Sequence, residues 1–97
     1  MNKLETVSNF NHVLLDLLDN VSMTFPDAGL GKYKIAVRMD QSDRWVRKFM
    51  GLNISPGDDI NLEDFGLGDI DFDKDHKAIL DSYIDVLNSL LENYNIA

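Results

Sequence analysis

The chain lacks cysteine altogether and contains only two prolines in 97 residues. Without cysteine there are no disulfides, no thiolate catalysis and no zinc sites with sulfur ligands, and nothing marks an oxidising compartment. At this length we expect a single domain, residues 1–97, with a modest core. Because 44% of the residues are hydrophobic, the chain can bury enough apolar surface to fold, and its stability must come from packing.

Long hydrophobic runs are also missing. No window approaches the ~20 apolar residues that span a bilayer, and the first ten residues lack the continuous apolar stretch of a secretory signal. A sequence pI near 4.4 argues against general binding of nucleic acid or anionic membranes, because attraction to phosphates scales with basic charge. These absences predict a protein of the cytoplasm or nucleus that is not secreted and has no membrane partner. They disfavour nucleic acid as a partner, with a local exception left open in the middle third of the chain.

The basic charge that is present lies close together in the sequence. Six of the nine lysines and arginines fall within seventeen positions, whereas eleven of the seventeen acids lie beyond Gly51. This division gives one small molecule a cationic and an anionic stretch, which must face either each other or partners. The six cations, called the basic patch below, are Lys32, Lys34, Arg38, Arg44, Arg47 and Lys48.

Two long amphipathic helices are predicted near the ends of the chain, at about residues 5–24 and 74–95. In both stretches apolar side chains recur every three or four residues, which gathers them on one helix face. The two helices are expected to pack antiparallel and to build the interior together. The residues of these two apolar faces are Val7, Phe10, Leu14, Leu17, Leu18 and Val21 in the first helix, and Leu80, Ile84, Leu87, Leu91 and Tyr94 in the second.

The sequence also marks the ends and polar sides of these helices. Pro26 ends the first helix, because proline disfavours helical geometry in the preceding Phe25. Asn11 and Asp19 are expected on the polar side of that helix. Carboxylates near the start of the second helix can cap its free backbone N–H groups, and they are Asp71, Asp73 and Asp75.

The middle of the chain carries two conflicting signals. Between residues 32 and 39 apolar and polar side chains alternate, which is typical of a half-buried strand. No second segment offers a matching partner, however, and a lone strand leaves its backbone groups unpaired. After Ser42 or Asp43, the pattern predicts a short helix that ends at Gly51. An acidic loop follows, with apolar residues directed into the core and one helical turn at residues 62–65.

The fold expected from these elements is an all-α bundle. Two long terminal helices would enclose one or two short helices between them. The alternative is an α+β domain with residues 32–39 as a strand. The number of copies in an assembly is left open by the sequence.

Four stretches of the chain form a recognisable order: the helix around 10–19, the Phe25-Pro26 pair, the segment 49–56 and the closing helix 79–94. Together they resemble small uncharacterised proteins of large DNA viruses that infect algae and protists. The chain departs from that group in its glycine-rich acidic loop and in lacking a phenylalanine pair after the loop's acids. The resemblance implies a mainly helical fold, including residues 33–39, in the cytoplasm or nucleus of a host cell, and it implies no known activity.

Motifs for catalysis, cofactors or metals do not emerge. The run Asp69-x-Asp71-x-Asp73-x-Asp75 offers carboxylate ligands for Ca²⁺, but the glycine and the final glutamate of a calcium loop are absent. Helix capping is the preferred interpretation. The stretch 29–32 places glycines beside a lysine, as in a phosphate-binding turn, yet the full nucleotide motif is missing. We therefore expect a non-enzymatic protein without cofactor or metal.

Two surfaces remain as candidates for binding. Tyr33, Trp45 and Phe49 lie near the basic patch and could stack on nucleic-acid bases. The preferred alternative is that these aromatics belong to the core and that the cations neutralise the acidic loop. The acidic half is the candidate interaction surface for a protein partner with a basic surface. Its candidate residues are Asp58, Asp59, Glu63, Asp64, Asp69 and Asp71.

These observations favour a viral accessory protein that acts as an acidic protein–protein interaction module. One alternative is a structural virion component or self-assembling module that uses the exposed side of the 80–94 helix. Another is an inhibitor that mimics nucleic acid and blocks a host DNA-binding protein.

Overall fold

A computed structural model describes residues 2–52 and 60–96 of the chain. Four α-helices follow one another in these two ranges: α1 at Lys3–Thr24, α2 at Gly31–Asp40, α3 at Arg44–Leu52 and α4 at Lys74–Ile96. Two short 3-10 helices, η1 at Pro26–Ala28 and η2 at Leu62–Phe65, lie between them. No strand occurs in these two ranges. The all-α bundle with two long terminal helices is confirmed, and the alternative with a strand at residues 32–39 is wrong.

Both long helices begin at a side-chain cap. The Oδ1 atom of Asn2 accepts a hydrogen bond of 2.8 Å from the backbone N–H of Glu5, which starts α1 at Lys3. The Oδ1 atom of Asp73 accepts one of 2.8 Å from the N–H of His76, at the start of α4. Such caps satisfy N–H groups that have no partner within the helix. Of the three predicted caps, Asp73 has this contact.

The two long helices are antiparallel neighbours. Near the end of α1, the side-chain amide of Asn20 donates a hydrogen bond of 3.0 Å to the hydroxyl of Tyr83 in α4. Near its start, the ammonium of Lys3 lies 4.4 Å from the ring centre of Tyr94. The first half of one helix therefore lies beside the second half of the other. Their predicted apolar faces are buried and form most of the core.

Phe25, directly after α1, packs against aromatic residues near the start of α4. Its ring packs edge-on against Phe72, with ring centres 5.1 Å apart, and lies 6.0 Å from the ring of His76. Pro26 opens η1 directly afterwards. The helix thus ends where the sequence predicts, and Phe25 is half-buried against the residues that lead into α4.

The stretch predicted as a possible strand forms α2 instead. Leu30 and Val37, seven residues apart, are 4% and 0% exposed, as expected for one face of a helix. Ile35 and Met39, which the alternation would place beside Val37 on one strand face, are 59% and 82% exposed. A helix satisfies its own backbone hydrogen bonds, so the segment needs no partner strand.

The first described residue of the loop before α4, Ile60, is hydrogen-bonded to the middle of that helix. The side chain of Asn88 exchanges two hydrogen bonds with the backbone of Ile60, of 2.9 Å and 3.1 Å. Ile60 and Leu67 are 2% and 1% exposed, so the loop directs apolar side chains into the core as predicted. The predicted helical turn at 62–65 is η2, and Gly66 follows it with a left-handed φ of 75°, a conformation that glycine adopts at little cost. Residues 53–59, between α3 and this part of the loop, lie outside the described residues.

None of the helices in the described ranges combines the length and the apolar character that crossing a bilayer requires.

Candidate functional site

Part of the basic patch lies against α1. Asp19 of α1 pairs with the ammonium of Lys34 at 2.8 Å and with the guanidinium of Arg38 at 3.3 Å, both from α2. Positions 34 and 38 lie one helical turn apart, so both side chains reach the same carboxylate. Asp19 occupies the polar side of α1, as predicted, and neutralises two cations of the patch.

The two arginines of α3 are paired with acids near its start. Arg44 lies 3.3 Å from a carboxylate oxygen of Asp40, and Arg47 lies 3.0 Å from one of Asp43. Asp43 also accepts a hydrogen bond of 3.4 Å from the Tyr94 hydroxyl of α4. Four of the six cations are therefore paired with acids of residues 19–43, and the described acids of the loop form no ion pair with the patch.

Two lysines of the patch have no ion pair within the described ranges. Lys32 is exposed on α2. The ammonium of Lys48 lies 4.7 Å from the ring centre of Trp45 and 5.4 Å from that of Tyr33, within the distance at which ring faces attract cations. Lys48 is thus held by aromatic side chains instead of by a carboxylate.

The aromatic residues near the patch divide between core and surface. Trp45 and Phe49 are 8% and 3% exposed, which confirms that they belong to the core. Tyr33 is 44% exposed and meets Trp45 edge-on at 6.4 Å. Only Tyr33 of the three has a substantial open area on which a base could stack.

A cavity of about 90 Å³ adjoins these aromatic residues. It lies between α1, the helices of the basic patch and η2. Apolar side chains form most of its wall, and one lysine and one aspartate complete it. The lining residues are Leu14, Leu18, Tyr33, Trp45, Lys48, Phe49, Asp64, Phe65 and Gly66.

The acidic candidates lie in η2 and the loop that follows it. Glu63 and Asp64 belong to η2, and Asp69 and Asp71 follow it; all four are exposed. The Oδ2 atom of Asp64 accepts a hydrogen bond of 2.9 Å from the backbone N–H of Asn61, which holds the turn together. The two other candidates, Asp58 and Asp59, lie outside the described residues.

The described residues fall into a nearly neutral part and an acidic part. Residues 2–52, called the neutral segment, carry seven lysines and arginines against six acids, whereas residues 60–96, called the acidic segment, carry two against nine. In the acidic segment only Asp81 forms an ion pair, at 3.1 Å from Lys77. The eight remaining acids are exposed and without an ion pair among the described residues: Glu63, Asp64, Asp69, Asp71, Asp73, Asp75, Asp85 and Glu92.

The acids of the 69–75 run do not converge. Within the described ranges, no group of three or more histidine, aspartate or glutamate side chains is placed to hold a metal ion. Asp73 caps α4, as the helix-capping interpretation predicts.

The stretch 29–32, considered above as a phosphate-binding turn, connects η1 to α2. Gly29 has a left-handed φ of 72° at the end of η1, which is the geometry of a turn between helices.

Two asparagines have structural roles that the sequence pattern did not indicate. Asn11 was expected on the polar side of α1 but is only 3% exposed, and its amide donates a hydrogen bond of 3.1 Å to the carbonyl of Ser42. Asn88 binds the backbone of Ile60. Both contacts join residues distant in sequence, so no local spacing could reveal them. The signal that the sequence did offer is the position of each asparagine close to the apolar face of its helix, where a polar side chain needs a hydrogen-bond partner.

A scan of protein-family models and searches of curated proteins and of solved structures find no match to this chain.

Proposed function

We propose that the protein is a non-enzymatic interaction module whose acidic segment binds a basic surface of another protein. The observation that carries this proposal is the set of eight exposed acids without an ion pair in that segment. A role as a viral accessory protein stays a prediction from the sequence resemblance alone.

Electrostatic complementarity supplies the first part of the argument. The neutral segment compensates most of its charges internally, through Asp19, Asp40 and Asp43. The acidic segment has only Lys74 and Lys77 against its nine acids. Its field therefore extends into solvent, where it can steer a positively charged partner and raise the association rate.

Exposed apolar residues on α4 supply the second part. Ile79 and Val86 are 48% and 46% exposed and lie seven residues apart, on one side of the helix. Asp85 and Glu92 are likewise seven residues apart, on another exposed side. A partner can bury the two aliphatic side chains while its cations meet the carboxylates, so that apolar contact provides affinity and charge provides specificity.

The test is a capture experiment with matched charge variants. The full chain, the variant D85N/E92Q and the control E5Q/D27N are immobilised, and cell extracts are applied at about 50 mM and about 500 mM NaCl. Both variants remove two negative charges, but Glu5 and Asp27 are exposed in the neutral segment. A partner is expected to bind the wild type and the control, and to be lost with D85N/E92Q or at high salt. The purified partner should repeat this order in calorimetry.

Two results would contradict the proposal. One is equal retention of every captured protein by D85N/E92Q and by the control. The other is binding that does not weaken with salt, since attraction between exposed charges is screened over about 10 Å at 0.1 M salt.

Self-assembly is a second candidate, which the exposure of Ile79 and Val86 favours. The predicted apolar face at 80–94 is largely buried against α1, so these two residues provide the exposed apolar area of α4. Light scattering at increasing concentration distinguishes the candidates. A dimer that dissociates in I79D would support self-assembly, and a wild-type monomer at millimolar concentration would exclude it. The competing nucleic-acid mimic predicts that duplex DNA displaces the protein from its partner.

A further inference from the structure

The cavity beside Trp45 combines an apolar interior with charged groups. Its volume is about 90 Å³. Leu14 and Leu18 contribute from α1, and Phe49 and Phe65 lie with ring centres 4.7 Å apart. A wall of this composition favours a small apolar group over water.

Two side chains of opposite charge line the same cavity, and they do not pair with each other. Lys48 and Asp64 both contribute to the lining, but no ion pair within 4.0 Å joins them. The ammonium of Lys48 rests over the ring of Trp45 at 4.7 Å and has no carboxylate partner among the described residues. Asp64 uses Oδ2 for the N–H of Asn61, which leaves Oδ1 available for a ligand.

We propose that this cavity binds a free α-amino acid with a small apolar side chain, such as valine or leucine. The carboxylate of the ligand faces the ammonium of Lys48, and its ammonium faces Oδ1 of Asp64. Its side chain enters the apolar interior near Phe65. Because an α-amino acid carries both charged groups on one carbon, it can offer an opposite charge to each of two side chains that do not pair with each other. This inference does not depend on the proposed protein partner.

The pair of charges also predicts what the cavity rejects. A simple carboxylate can pair with Lys48 but makes no charged contact with Asp64, and a simple amine can pair with Asp64 but not with Lys48. Each analogue therefore loses one of the two charged contacts that the amino acid makes. The zwitterion is therefore preferred over either half of it.

The wild-type experiment compares four ligands. L-valine, L-leucine, isovalerate and isobutylamine are titrated at constant ionic strength, and binding is followed by the fluorescence of Trp45, the one tryptophan of the chain, and by amide NMR shifts. The amino acids are expected to bind with a Kd of about 1 mM. The two singly charged analogues are expected to bind at least about tenfold more weakly.

Matched variants assign the two charged contacts. K48M and D64N remove one rim charge each, and the amide oxygen of D64N can still accept from Asn61. K32M and D69N remove exposed charges outside the cavity lining. The first pair should weaken L-leucine binding at least about tenfold, and the second pair should leave it unchanged. Circular dichroism establishes that each variant is folded.

Three outcomes would overturn the assignment. The first is no binding of either amino acid up to about 50 mM. The second is binding of isovalerate or isobutylamine within about twofold of L-leucine. The third is an equal loss of affinity in K32M and K48M. The first two use the wild-type chain and hold even if a variant fails to fold.

Discussion

The neutral segment and the acidic segment differ in how many of their carboxylates form ion pairs. Asp19, Asp40 and Asp43 each lie within 3.3 Å of a lysine or arginine, whereas eight acids of residues 60–96 have no ion pair among the described residues. Both segments nevertheless share one core. Exposed ion pairs contribute little to stability, so the difference concerns mainly the electric field that each half presents to solvent.

The largest effect on stability is expected from truncating side chains in the core that the two segments share. L17A in α1 and L87A in α4 truncate side chains that are both fully buried, and each is expected to lower the free energy of unfolding by about 3 kcal/mol. Urea unfolding followed by circular dichroism and by Trp45 fluorescence measures the change. The two signals should coincide, because the segments unfold as one unit.

Exposed positions in the same two helices provide the controls for these core variants. M23A removes a side chain that is 84% exposed in α1, and V86A one that is 46% exposed in α4. Their expected losses are below about 1 kcal/mol. Losses as small as these for L17A and L87A would mean that the two helices do not form the core together.

The attachment of the loop to α4 is expected to have the next largest effect. N88A removes both hydrogen bonds to Ile60 and leaves buried backbone groups unpaired, which should cost about 2 kcal/mol. S89A, at an exposed position beside it, should cost little. Amide hydrogen exchange should show the larger loss of protection in residues 60–67. Equal behaviour of the two variants would contradict this role for Asn88.

A smaller effect is expected at the start of the acidic segment's helix. D73A removes the cap at His76 and should lower stability by about 1 kcal/mol. D71A, which changes an exposed acid outside α4, serves as the control. Chemical denaturation of both proteins measures the difference, and identical midpoints would show that the cap contributes nothing.

The weakest effects compare the charges themselves and have opposite signs. D19N breaks the contacts with Lys34 and Arg38 and should destabilise by at most about 1 kcal/mol, less at high salt. D85N/E92Q relieves repulsion among acids and should leave stability equal or raise it by a few tenths of a kcal/mol. Thermal melts at low and high salt test this. A stabilising D19N, or a strongly destabilising D85N/E92Q, would abolish the distinction between the segments.

Much of the helical architecture could be predicted from local spacing. The predicted bounds of 5–24 and 74–95 fall within two residues of α1 and α4, because regularly spaced apolar residues mark a buried helix face. The alternation at 32–39 was misleading, since Ile35 and Met39 point to solvent. In a short segment a few apolar residues fit either period, and only the packing against α1 decides between them.

The candidate sites were less accessible to prediction. The clustering of cations was visible in the sequence, but their pairing with Asp19, Asp40 and Asp43 depends on how α2 and α3 fold back. The cavity likewise joins Lys48 to Asp64 across sixteen sequence positions. Contacts between distant segments depend on tertiary packing, which periodicity along one segment does not encode.

The hydrogen bond between Asn20 and Tyr83 has a consequence for the alignment of the long helices. Leucine-rich faces are chemically uniform, so sliding one helix past the other by a turn of about 5.4 Å would still bury hydrocarbon. Such a slide would separate the amide from the hydroxyl, 3.0 Å apart in the native arrangement, and leave the half-buried Tyr83 without this hydrogen bond, although the amide would keep its bond to the Asp16 carbonyl. A single polar pair thereby favours one register of the two helices among several that apolar packing alone would allow.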